Sequence, residues 1–241
     1  MVSRKPESRI PFARPTCRAD RRIAAGSILF VVVCVLAGEW VVPPLFGNDV
    51  RIFNLLAALV VLAGVCTHRL QGETPADIGL RLDNFRKAAR FLVPPMLIAG
   101  FALAGAGLLA GSLSVAPNLS SRRLGTIAWL LWWAMLQQYA LQGIVNRQAQ
   151  ILWGRGRRSV VFVAALFALL HLPNLPLVLA TFAGGLIWAW VYQRAPDILA
   201  PALSHWLMVL VLTSTLPPSM LRGMRVGAGY FNRVRPLGAR Q

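Results

Sequence analysis

The run Val161-Phe162-Val163-Ala164-Ala165-Leu166-Phe167-Ala168-Leu169-Leu170-His171 is apolar until its last residue. A second histidine, His205, stands near the start of another apolar run, Ala202 to Leu216. Upstream, the apolar stretch Leu124 to Leu152 carries Gln137, Gln138 and Gln142. Polar side chains at membrane depth are costly unless they have partners or a function. Three clusters in successive hydrophobic segments therefore point to one buried polar site inside a helical membrane protein.

Composition supports that reading. Of 241 residues, 56% are hydrophobic and 14% charged, and the mean hydropathy is +0.59. The charged share lies well below the roughly 25% of soluble domains. The net charge of +17 raises the question of nucleic acid. The basic residues sit in the gaps between hydrophobic runs, where the positive-inside rule places them, so a nucleic-acid partner is not expected. The basic tail, Arg4 to Arg22, can lie on anionic headgroups. Cys17, Cys34 and Cys66 are too far apart for a thiolate zinc site. The first hydrophobic segment lacks a small-x-small cleavage site and reads as an uncleaved anchor.

Seven runs are candidate membrane segments, against about 20 residues for a full span. They are Ile23 to Val42 (closed by Pro43-Pro44), Ile52 to Cys66, Phe91 to Leu113, Leu124 to Leu152, Val160 to Leu172, Leu175 to Tyr192 and Ile198 to Leu216. The expected fold is all-α, a polytopic transmembrane bundle. Gly100, Gly105, Gly107 and Gly111 in the third segment permit close helix contacts. The fourth would extend roughly 43 Å and protrude from the bilayer; the second and fifth are short. Between the second and third, Leu80, Leu82 and Phe85 among charged residues suggest an interfacial segment. With the N-terminus inside, the basic gaps 68–90 and 147–158 fall inside. The arginines after Pro218 would then fall outside, against the rule. Either one short segment is re-entrant or the count is wrong by one.

On a helix, Gln138, Gln142 and Asn146 share one face at four-residue spacing, flanked by Gln137. Interhelical hydrogen bonding explains such amides one at a time, and satisfied core histidines explain His171 and His205. Their order adds a further point. The run Gln137-Gln138-Tyr139-Ala140-Leu141-Gln142-Gly143, then Phe167-Ala168-Leu169-Leu170-His171, then His205-Trp206-Leu207-Met208-Val209 resembles the CPBP family, the CAAX-protease and bacteriocin-processing intramembrane endopeptidases, also called Abi. Its first motif is Glu-Glu-x-x-x-Arg, its second Phe-x-x-x-His, its third His-x-x-x-Asn or Asp. The resemblance covers about Trp129 to Leu216.

It implies Gln137, Gln138, Gln142, His171 and His205 as the catalytic set, gathered on one cavity, with no cofactor. It also implies an endopeptidase that cuts membrane-associated peptides or proteins in an inner or plasma membrane. The departures weaken that activity. Both glutamates are glutamines, the arginine is Gln142, and the last position is Val209. In the family a glutamate activates water, and a neutral amide cannot serve as a general base. No acid lies between residues 84 and 196. Asp197 is about 12 Å along a helix from His205. Glu39, near the end of the first helix, would reach the site only if that end packs there; an interfacial position is expected. A histidine could act as base. Two histidines without a carboxylate make a poor zinc site, so metal is not expected. The rivals are a non-catalytic pseudoprotease that binds a membrane peptide or hydrophobic tail, and a transport or scaffold protein. The organisation read from the chain is a basic cytoplasmic tail over 1–22, membrane helices over 23–123, the site-bearing core over 124–218 and a basic tail over 219–241.

Overall fold

Pro43 and Pro44, expected to close the first helix, lie within it. A proline offers no N–H, so the carbonyls four residues earlier, on Glu39 and Trp40, lose their α-helical donors. The chain opens into a π-helical turn over Ala37–Val41, and α-helix resumes at Val42–Phe46. Such turns are rare and concentrate at functional sites.

The structure is a computed structural model that describes residues 18–47, 49–113 and 121–231, with backbone alone at 121–123. The readings made for Cys17 and for the tails over 1–17 and 232–241 lie outside the described residues. After α1 (Arg18–Leu36), the π turn and α2 (Val42–Phe46) come α3 (Val50–Leu70) and α4 (Phe85–Leu109). Next is a long helix made of α5 (Ser121–Gln138), a second π-helical stretch (Tyr139–Asn146) and α6 (Arg147–Trp153). Then follow α7 (Arg157–Leu169), α8 (Leu175–Arg194), α9 (Leu199–Thr215) and the short α10 (Pro218–Leu221), with 3-10 turns at Arg222–Met224 and Gly227–Phe231.

Among the described residues all regular structure is helical, as expected, and each of the seven apolar runs forms a helix. Among the described residues, four helices are long and apolar enough to cross a membrane: Arg18–Phe46, Val50–Leu70, Phe85–Leu109 and Leu175–Arg194. α9 is apolar but shorter. α7, with 13 residues, extends only about 20 Å.

The N-terminal and C-terminal halves share one core. Val31, Cys34, Val60, Ala88 and Leu92 pack in the same cluster as Ile144, Phe167, Trp188 and Val191. α1 and α3 run antiparallel: Ser27 meets Thr67 at 2.7 Å, and Gly38 meets Phe53 and Leu56 at the other end. Of the four glycines in the third segment, only Gly107 serves a close contact, against Thr215 of α9. Gly100, Gly105 and Gly111 have open space where a side chain would stand. A glycine helps packing only where its missing side chain faces a neighbour, which the sequence spacing does not reveal. The turn Gly227–Phe231 packs on Ala37–Phe46. The chain up to Phe231 therefore ends opposite the start of α1.

The segment between α3 and α4 is folded onto the α8–α9 connection. The Tyr192 hydroxyl donates to the Ile78 carbonyl at 2.9 Å, and the Ile198 N–H to that of Gly79 at 2.9 Å. Leu80 and Leu82 remain exposed. Nearby, Glu73 joins His68 Nδ1 (2.7 Å) and Arg147 Nε (2.5 Å). Burial alone would raise the Glu73 carboxyl, but the His68 hydrogen bond and the Arg147 charge hold it below its ordinary value. Gln71 and Gln148 exchange two amide hydrogen bonds, each 2.9 Å, beside this cluster.

Candidate functional site

The amides of the long helix form a single row with a definite direction. Gly156 N–H, which can only donate, bonds Gln193 Oε1 at 2.9 Å. Gln193 Nε2 must therefore face the other way, and it donates to Asn146 Oδ1 at 3.0 Å and Ser159 Oγ at 2.9 Å. Asn146 Nδ2 donates to the Ala189 carbonyl at 3.2 Å, which can only accept, and to Gln142 Oε1 at 2.7 Å. Gln142 Nε2 donates to Gln138 Oε1 at 3.1 Å, and Gln138 Nε2 faces His205 Nδ1 at 3.3 Å. Backbone groups at Gly156 and Ala189 thus set the sense of every amide. His205 Nδ1 must accept, so a neutral His205 carries its proton on Nε2. Gln138, Gln142, Asn146, Gln193 and Ser159 are all buried.

His205 is held by rings as well as by Gln138. Trp188 lies against it with centroids 4.7 Å apart, and Phe167 presents an edge at 5.9 Å. The Trp188 N–H donates to Ser204 Oγ at 3.0 Å.

The spacing in Phe167-x-x-x-His171 has a local reason. The last carbonyls of a helix lack intrahelical donors, and a histidine there can supply one. His171 Nδ1 lies 2.7 Å from the Phe167 carbonyl, just beyond the end of α7. A carbonyl only accepts, so Nδ1 holds the proton and a neutral His171 bears its lone pair on Nε2. The two histidines are therefore set in opposite tautomers, one with an accepting and one with a donating Nε2.

Both line one cavity of about 760 Å³, within the range of ligand sites. α4 contributes Met96, Ala99 and Leu103; α5 contributes Trp129, Trp133 and Gln137; α8 contributes Gly184 and Trp188; α9 contributes Val209 and Leu212. The structure brings all five sequence-derived candidates together, at different depths. Gln137, His171 and His205 stand on the wall, whereas Gln138 and Gln142 lie behind His205 as its support. Asp197 lies elsewhere: its Oδ1 accepts the Ala200 N–H at 2.7 Å at the start of α9, and burial raises its carboxyl above the ordinary range. Among the described residues no three His, Cys, Asp or Glu side chains gather as a metal-ligand set.

Glu39 does not stand apart from the site, as its expected interfacial position would have it; it lines the same cavity. The end of the first helix packs there because its π turn meets the C-terminal segment. Trp188, Ser204 and Gln193 were also not singled out from the sequence. Trp188 follows Gly184-Gly185 on α8, but nothing local marks Gln193, whose partners come from two other helices.

Residues 124–211 match the family model described as type II CAAX prenyl endopeptidase, Rce1-like. The match begins in α5 and ends within α9, so it takes in all three motifs that carried the resemblance. No curated protein and no solved structure matches the chain. With its apolar helices, the protein is a multi-pass membrane protein, and residues 124–211 are similar to the Rce1-like CAAX-protease family.

Proposed function

We propose that this protein is an intramembrane endopeptidase that hydrolyses peptide bonds of membrane-associated peptides or proteins, working through His171 and His205. The observation that carries this reading is the pair of opposite tautomers on one apolar cavity. His171 Nε2 can hold a water by accepting its hydrogen, and His205 Nε2–H can donate to a carbonyl oxygen as negative charge develops there. The Rce1-like match supports an endopeptidase in general terms. Seven membrane segments, a cytoplasmic N-terminus and an inner or plasma membrane complete the proposal. The segment count is supported by the helix that each of the seven apolar runs forms, and the orientation by the arginines near the start of α1 and around α6.

A second reading is favoured by one observation: the row from Gln138 to Asn146 is made of neutral amides bonded to one another, none of which can take a proton from water. On that reading the cavity binds a membrane peptide or hydrophobic tail and cleaves nothing.

Peptide cleavage in proteoliposomes separates the two. The parent is compared with the triple variant Gln137→Glu/Gln138→Glu/Val209→Asn, with and without Gln142→Arg, and with His171→Ala. Acid–base catalysis contributes on the order of 10² to 10⁴ in rate. A parent rate that is lost with His171→Ala supports the endopeptidase. A silent parent beside a triple variant that cleaves supports the pseudoprotease.

A further inference from the structure

Glu39 is the one acidic side chain on the cavity wall among the described residues. Its Oε2 is buried and has no hydrogen-bond partner there. Buried polar atoms are almost always partnered, and a bare one is costly. A bare carboxylate oxygen beside a cavity fits a group whose partner arrives with the ligand or with water.

Its backbone is held in place. Pro43 and Pro44 open the π turn that carries Glu39, and Gly227 packs directly against the Glu39 carbonyl; a Cβ at residue 227 would stand 2.3 Å from that oxygen. The Gly227 N–H donates to the Leu172 carbonyl at 2.8 Å. One residue thus ties the backbone of Glu39 to that of the residue after His171.

The amide row leaves a chemical gap that Glu39 is suited to close. Hydrolysis of a peptide bond needs a group that takes a proton from water and returns it to the departing nitrogen. An imidazolium formed alone in an apolar cavity is unfavourable without a counter-charge. A carboxylate on the same wall avoids that charge by taking the proton itself.

We infer that Glu39 is the proton acceptor of this site, an inference that rests on the endopeptidase reading. A water bonded to His171 Nε2 gives its other proton to Glu39. The water oxygen bonds to the peptide carbonyl carbon while His205 Nε2–H donates to the carbonyl oxygen. The proton on Glu39 then passes to the amide nitrogen and the C–N bond breaks. A carboxyl product and an amine leave, and the Glu39 carboxylate is regenerated.

The test compares cleavage of a membrane peptide in proteoliposomes by the parent, Glu39→Gln, Glu39→Gln/Gln137→Glu and Gln137→Glu. Glu39→Gln keeps the shape of the side chain, and an unchanged unfolding temperature confirms that the bundle is intact. The expected result is at least a hundredfold loss for Glu39→Gln, with tenfold or greater recovery when Gln137→Glu puts a carboxylate back on the cavity wall. Parent-like cleavage by Glu39→Gln overturns the role of Glu39 and leaves the endopeptidase standing. A parent that is inert beside an active Gln137→Glu variant overturns it too, because the cavity then works only with an added acid. If no variant cleaves, the endopeptidase reading fails and the role of Glu39 fails with it.

Discussion

Gln138 faces His205 across 3.3 Å with its amide nitrogen, because its oxygen is already occupied by Gln142. The tautomer of a histidine in α9 is therefore decided by Gly156 and Ala189, backbone groups at the far end of a row of amides. A carboxylate at position 138 could only accept, and it would move the His205 proton to Nδ1.

Gln142 is the central member of that row. Gln142→Leu removes the partner of Gln138 Oε1 and one partner of Asn146 Nδ2. Leaving buried polar groups unpaired costs about 1–3 kcal/mol, so the unfolding temperature in detergent should fall. Gln138 is then free to turn its oxygen toward His205. The nitrogen-15 shifts of His205 should report a proton moved from Nε2 to Nδ1. Unchanged shifts would show that the row does not govern His205.

Acid should weaken the protein through Glu73. Its carboxyl lies below its ordinary value of 4.5 when folded. The unfolded chain therefore binds its proton first as pH falls. The stabilisation is complete above about that ordinary value and is lost progressively as pH drops through the folded value. Glu73→Gln should lower stability at neutral pH by on the order of 1–3 kcal/mol, the scale of hydrogen bonds to charged groups. It should also flatten the acid limb of a stability–pH curve. An acid limb that survives the substitution would assign it to other carboxylates.

Gly227 combines a positive φ of +56° with direct contact to the Glu39 backbone. Gly227→Ala adds a methyl group where there is no room, in a conformation that disfavours any side chain. The loss should exceed about 1 kcal/mol, and residues 222–231 should become sensitive to protease. Activity or peptide binding should drop more than stability does, since Gly223, Met224 and Val226 also line the cavity. Gly26, with open space where a side chain would stand, is the control; Gly26→Ala should leave both unchanged.

Several features were legible in the chain because their causes are local. Hydropathy alone gave the helices, since an apolar run in lipid must satisfy its own backbone and does so as a helix. The four-residue spacing of Gln138, Gln142 and Asn146 gave their shared face. The spacing of Phe167 and His171 is the reach from a ring nitrogen to a last-turn carbonyl. Other features depend on which surfaces meet. Pro43 and Pro44 read as a helix end, yet the turn they disrupt continues as a π turn and carries Glu39 onto the cavity. Gln193 anchors the amide row through Gly156, 37 residues away along the chain, and no periodicity records such a pairing. The sequence by itself determined the elements and the chemistry available along them. Only the packing of distant helices decided which side chains face one cavity, because burial and hydrogen-bond direction depend on neighbours that are remote in the chain.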